Sequence, residues 1–332
     1  MTRETLTTLN TNTLIGFTSK RGNAWHYRKD LQGDEPNHYE NGIPLEDVKR
    51  RLFSWTALEE PMFIKTPLGY VEVPNRKAIV RDDNYTVLGV PSKTYTPHQY
   101  EEVLLGAVSN ILDDDLAIGS AGLLKDGAIA FVQVELPDSV KGSGGVEFRP
   151  NLLATTSFNG SIATTYKRTV TIVVCDNTRD AALREDGKTY SVRHTANSAV
   201  RVQDAKQALE IVHKMSDDFN AELEVLLGQK VSDAKFEKFL LKYVPKPTNE
   251  AQQAVSRADN TRLVLRNLWK DDERVAPWKG TAYGVLQAVN TYRHHFRPTR
   301  GGTVVAERNM LDVLTGKTGG ADIQALNLLT SV

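Results

Sequence analysis

The spacing of apolar positions changes along the chain and divides it. Between Leu116 and Cys175 they come in short runs and alternations, the pattern of strands. Leu116 to Leu124 is an apolar run closed by Lys125-Asp126-Gly127, where Asp-Gly tolerates the positive φ angles of a tight hairpin turn. Ala128 to Leu136 then alternates. Ala130, Val132, Val134 and Leu136 fall on one face and Ile129, Phe131, Gln133 and Glu135 on the other, the pattern of a half-buried strand. Leu152 to Phe158 and Ser161 to Tyr166 flank Asn159-Gly160, a second hairpin signal. After a basic turn at Lys167-Arg168 comes Thr169 to Cys175, a β-branched strand too apolar to face water. Asp176-Asn177-Thr178 offers caps for a helix through Ala181, Ala182 and Leu183. The expectation is one antiparallel sheet over 116–175, followed by a helix that carries Arg179 and Arg184.

Before this sheet, Pro44 to Trp55 has a helical period, with Leu45, Val48, Leu52 and Trp55 on one face. Tyr70–Val73, Lys77–Arg81 and Thr86–Val90 read as a small meander, with turns at Pro74-Asn75 and Asp82-Asp83-Asn84. Thr96-Pro97-His98-Gln99 reads as a capping box opening a helix to about Leu112 that buries Val103, Leu104, Ala107, Val108 and Ile111. Lys141 to Gly145 reads as a flexible connection. After the sheet the period becomes three to four. Helices are expected from Val202 to Leu227, ended by Gly228, and from Ser232 to about Tyr243, stopped by Pro245 and Pro247. More are expected near 249–270, 280–296, 305–315 and 322–330. Strands first and helices later predict an α+β fold: a twisted antiparallel β-sheet with a largely helical C-terminal part. Three regions follow: a flexible N-terminal arm over 1–24, a sheet domain over 25–200 and a helical region over 201–332. Trp25-His26-Tyr27-Arg28-Lys29 either anchors the arm or stacks on bases beside phosphate.

Composition narrows the chemistry. The chain has 332 residues, 41 Lys+Arg against 41 Asp+Glu, and one cysteine. Zero net charge gives no global field for a polyanion, so nucleic-acid binding has to come from local clusters. One cysteine excludes an internal disulfide and an all-cysteine metal site. With no apolar run of spanning length, the expected location is cytoplasmic, away from the membrane. Asp113-Asp114-Asp115 reads as a solvated turn in preference to a metal cluster. Thr315-Gly316-Lys317-Thr318 looks like the end of a phosphate-binding loop, but Leu311 stands where its first glycine belongs. His294-His295 is too close in sequence for two ligands on one helix face. No catalytic, cofactor-binding or metal set emerges, and the chain reads as a non-enzyme. What does stand out is local positive charge. Lys167, Arg168, Arg179, Arg184, Lys188, Arg193 and Arg201 form one cluster; Arg293, Arg297 and Arg300, beside the two histidines, form another.

Asn23-Ala24-Trp25-His26, Arg81, Leu88-Gly89-Val90, Tyr95-Thr96-Pro97 and Ala121-Gly122-Leu123 come in an order that resembles a known family. So do Ser157-Phe158-Asn159-Gly160-Ser161, Val174-Cys175-Asp176-Asn177-Thr178, Thr281-Ala282-Tyr283 and Ala288-Val289-Asn290. The resemblance, over about residues 20–330, is to the phage/plasmid-like proteins with domain of unknown function 932. Phe158 stands where that pattern has His, and Asp176 where it has Gln. The resemblance implies a mobile-element setting and no established activity. More remotely, the helix–sheet–helix plan resembles phage single-strand annealing proteins of the Red-beta, RecT, Erf and Rad-fifty-two-like types, an analogy of plan. That implies single-stranded DNA binding and strand annealing without a nucleotide cofactor, by a homo-oligomeric ring or filament assembled through sheet edges. The candidate DNA contacts are Lys167, Arg168, Arg179, Arg184 and Arg193, Tyr166 for stacking, and Arg297 and Arg300. A non-enzymatic protein that targets a host factor is the alternative.

Overall fold

The computed structural model describes residues 6–24, 26–112, 116–172, 177–180, 190–192, 212–248, 251–299 and 305–332. The fold is α+β, with antiparallel sheets and a helical C-terminal half. In chain order come α1 (Leu6–Thr11), β1 (Thr13–Ile15), α2 (Thr18–Arg21), α3 (Leu45–Leu52), β2 (Ala57–Thr66), β3 (Gly69–Arg81) and β4 (Val87–Gly89). A short helix α4 over 101–108, π-helical in its first part, precedes β5 (Ala117–Leu124), β6 (Ile129–Glu135), β7 (Val140–Lys141), β8 (Glu147–Ser157) and β9 (Thr164–Ile172). Then follow β10 (Asn177–Asp180), β11 (Tyr190–Val192), α5 (Val212–Gly228), α6 (Asp233–Tyr243), α7 (Gln252–Asp271), α8 (Ala282–Thr291), α9 (Val305–Leu314) and α10 (Lys317–Thr330). One sheet has the order β1-β5-β6-β8-β9-β10, with β11 also on β9 and β7 on β8; the other is β2-β3-β4. The chain forms two interleaved compact units. The first comprises Met1–Asp138, Asn151–Arg168 and Lys188–Val212; the second comprises Ser139–Pro150, Thr169–Gly187 and His213–Val332.

In the first unit the β5–β6 hairpin closes at Lys125, Asp126 and Gly127, all with positive φ, as the Asp-Gly signal predicts. No helix interrupts Ala128 to Leu136. The strand there is buried on both faces, however, where the alternation predicts a half-buried one: among Ile129–Glu135 only Gln133 is partly exposed. One reason is Glu135, whose carboxylate accepts from Arg21 at 2.5 Å from a site of 3% side-chain exposure. The other is α4, which packs on β6. The hydrophobic centre of this unit is aromatic. Phe158 stacks on Tyr100 at 4.1 Å and meets Trp55 edge-on, and Phe53 closes on Tyr100 at 5.6 Å. Phe158, 1% exposed, has an apolar structural role.

Three expectations fail here. Residues 1–24 are not a mobile arm over their described part: β1 pairs with β5, and Leu9, Leu14 and Phe17 are buried. The buried amides of Asn10, Gln32 and Asn37 bind one another and the main chain, tying α1 and β1 to the loop near residue 37. Most of these bonds reach across 16 to 28 residues, which no local period announces. Pro74-Asn75 is not a turn; β3 continues through it and pairs with β2, a strand unforeseen in Ala57–Thr66. α4 starts without the expected Thr96–Gln99 box, because the Gln99 side chain bonds both main-chain groups of Ala57. Trp25 and Asp113–Asp115 lie outside the described residues. Neighbouring His26 is buried, and Tyr27 meets the His38 ring edge-on.

In the second unit the helices follow the expected periods. Ser232 caps α6, accepting from the Lys235 amide at 3.2 Å, and α6 ends before Pro245. The described part of the long helix is α5, which ends at Gly228. Residues 141–145 are not a loose linker: β7 pairs with β8, and Trp278 Nε1 donates to the Gly144 carbonyl at 2.9 Å. Phe148 packs edge-on to Phe219 at 4.6 Å, and Phe236 stacks on Trp269 at 4.6 Å. Gly316, at φ 74°, is the joint between α9 and α10 and holds no phosphate-loop turn. No described helix is long and apolar enough to cross a membrane.

Candidate functional site

The described candidate DNA contacts around Lys167 do not lie on the expected turn and helix. Lys167 and Arg168 do not sit in a turn, because β9 runs unbroken through them from Thr164 to Ile172. β-Branched residues on both sides of the basic pair favour one continuous strand over two. Tyr166 is buried, and its hydroxyl donates to the Val103 carbonyl at 2.5 Å, so it is not available for stacking. The pleat sends Tyr166 and Lys167 to opposite faces of the strand, and Lys167 is half-buried. Arg179 is not on a helix: Asn177–Asp180 is β10, with Arg179 in register with Val170. The run of caps at Asp176–Thr178 lost to ladder bonds with β9. Arg184 and Arg193, with Cys175, Asp176 and Ala181–Leu183, lie outside the described residues.

The second cluster does assemble, inside the helical unit. α8 continues as a π-turn over Tyr292–Phe296, and its last residues face α9. Arg293 and Arg297 both reach Asp312 of α9; the Arg293 contact is 3.8 Å and the Arg297 contact is a direct hydrogen bond. A third arginine, Arg308 of α9, joins them. It donates to the main-chain carbonyls of Arg293 at 2.8 Å and of Arg297, closing the end of the π-turn. Two guanidinium groups thus share the Asp312 carboxylate, and a third lies close by on main-chain carbonyls. Burial, and then the positive charges of Arg297 and Arg293, lower the pKa of Arg308, while Asp312 opposes the shift. Arg297 is the accessible member, with a third of its side chain exposed against about a tenth for Arg293. Arg300 lies outside the described residues.

A polar stripe leads into this cluster. α8 is buried on every side. One arc carries Tyr283, Gln287, Asn290, Thr291 and His294, at the three- and four-residue steps that align side chains. α10 packs on α8 and brings the buried Thr318 and Asp322. Among the described residues neither polar atom of the Asn290 carboxamide has a hydrogen-bond partner, although the residue is 1% exposed. Sequence reading passed over this stripe because an apolar helix with polar residues at those steps also reads as a solvated face.

Burial, aided by the neighbouring His295, Arg293 and Arg308, pushes the His294 pKa down to about 4, while Asp312 opposes. The folded chain holds His294 neutral, and the unfolded chain protonates it near its ordinary 6.5. Its contribution to stability is therefore complete above about pH 6.5 and fades as pH falls towards 4, by an amount on the order of 3 kcal/mol. His294→Gln is expected to flatten the decline in stability between pH 6.5 and 4, read by urea unfolding at each pH. An equal decline in both proteins would show that His294 titrates normally.

Among the described residues no group of three or more His, Cys, Asp and Glu is placed to hold a metal ion. No curated protein and no solved structure matches the chain. The family model for a domain of unknown function (DUF932) matches residues 87–314. That span holds the Phe158 turn, the Tyr283 and Asn290 segments and the arginine cluster, and it covers well over half of the chain, which therefore belongs to the DUF932 family.

Proposed function

We propose that the protein binds single-stranded DNA through phosphate contacts centred on Arg297 and promotes strand annealing without nucleotide hydrolysis. The observation that supports this is the arginine cluster: Arg293 and Arg297 on Asp312, with Arg308 bonded to the main-chain carbonyls of both. A phosphate beside Arg297 relieves the mutual repulsion that burial imposes on the three cations. Guanidinium groups suit this because their planar fork holds phosphate oxygens in pairs. Annealing needs no catalytic group, only strands held with their bases open to pairing. Contacts confined to the backbone read no sequence, so binding is indifferent to base order. The setting in phage or plasmid recombination, in the cytoplasm, is part of the proposal and comes from the family resemblance.

The experiment is a gel shift with single- and double-stranded oligonucleotides, beside annealing of dye-labelled complementary strands without ATP or metal. The expected result is a preferential shift of the single strand and faster annealing. A protein that shifts neither strand and leaves annealing at its spontaneous rate would overturn the proposal and leave a non-enzymatic, host-directed interaction protein as the reading.

A further inference from the structure

We propose that the β2–β3 arm of the first unit is a docking element for a second copy of this chain. The two strands pair from Ala57↔Arg81 out to Thr66↔Gly69. β4 supports β3 only near its base, at Ile79 and Val80, and the chain after it bridges β3 once more, Ser92 to Arg76. Beyond it the ribbon has two strands, a structure only marginally stable alone in water. Yet this part gathers five exposed large apolar side chains, among them the two most exposed of the described residues, Leu68 and Tyr70. Leu68 at the tip is 99% exposed, Tyr70 74%, Phe63 52%, and Ile64 and Val71 about half. Apolar surface gathered on one projecting element marks an interaction site.

How the arm docks follows from its register. Its edges are poor templates for a further strand, because Pro61 in β2 and Pro74 in β3 have no N–H to offer. The faces remain. Phe63 pairs across the ladder with Glu72, and Lys65 with Tyr70, so these four share one face. The aromatic rings occupy one diagonal and the two charges the other. A face with one cation and one anion has no net charge, which suits neither a phosphate backbone nor an anionic lipid surface. It complements itself. When two such faces meet about a two-fold axis, each Lys65 lies beside the partner's Glu72 and the rings fill the space between. Within the chain neither Lys65 nor Glu72 is in an ion pair with another described residue. This assembly differs from the one expected from sheet edges, and it is independent of the DNA proposal.

The test is sedimentation velocity of the full chain over a concentration series without nucleic acid. The wild type is expected to dimerise. Lys65→Glu and Glu72→Lys each set like charges together and should each weaken the dimer by at least about 10-fold. The double variant restores the complement and should recover most of that loss. Phe63→Ser with Tyr70→Ser should abolish association. These sites are exposed, and substitutions of this kind usually stay within about 0.5 kcal/mol of folding stability, which circular dichroism checks. A wild type that stays monomeric at the highest soluble concentration would overturn the proposal. So would single charge reversals that leave association unchanged, or a double variant no better than the singles.

Discussion

Glu135→Ala is expected to cost the first unit about 3–5 kcal/mol, the penalty of leaving one half of a buried ion pair behind. Glu135 ends β6 with 3% of its side chain exposed, and Arg21, 17% exposed, donates to it at 2.5 Å. Arg21 also donates to the Leu136 carbonyl at 3.2 Å and lies over the Phe17 ring, so it cannot swing out without giving up both contacts. Removing the carboxylate strands a guanidinium in that setting. Gly119→Ala should act on the same pair from the other side, since a Cβ there would lie 1.6 Å from the Glu135 Oε1. Urea unfolding followed by tryptophan fluorescence measures both. Arg21→Ala combined with Glu135→Ala should be less damaging than the two separate losses added together. A Glu135→Ala loss below about 1 kcal/mol would show that the pair is solvated.

Phe158→Ala is expected to cost about 3–5 kcal/mol, as for other fully buried aromatic rings. The ring sits between Tyr100 and Trp55, each of which is fixed by its own hydrogen bond: Tyr100 to the Gly127 carbonyl at 2.7 Å and Trp55 to the Leu52 carbonyl at 2.9 Å. With both neighbours pinned, the space left by the ring cannot close, and the cavity persists. Phe158→Leu keeps more of the volume and should cost less. Equal losses for Leu and Ala, or a loss under about 1 kcal/mol for Ala, would mean that the cluster relaxes around the gap.

What the sequence disclosed was local. Asp126-Gly127 and Asn159-Gly160 announced their turns because turn chemistry is decided by two residues. The helices after Val212 followed from periodicity and from stops such as Gly228 and Pro245. What it hid depended on distant partners. Glu135 alternates like a solvent-facing residue, and an ion pair with Arg21, far off in sequence, accompanies its burial. Lys167-Arg168 looked like a turn because charge is rare inside buried strands, yet β9 passes through it. Asp176–Thr178 promised a helix cap, but the ladder with β9 turned Asn177–Asp180 into a strand. At the candidate site, Arg293 and Arg297 were readable as neighbours on one helix. Arg308 and Asp312 were not, since the turn into α9 had to be known before they could join the cluster.

The DNA proposal is tested most directly by fluorescence anisotropy of a labelled single strand over a range of salt, for the wild type and Arg297→Ala. Each phosphate contact on a single strand contributes about −0.7 to the slope of log affinity against log salt. The proposal predicts a clearly negative wild-type slope, and a variant that folds normally, binds more weakly on every sequence and has a slope flatter by about 0.7. Asp312 keeps Arg293 as its partner at 3.8 Å, so the substitution leaves no unpaired carboxylate to confound the reading. An Arg297→Ala protein with unchanged affinity and unchanged slope would contradict it.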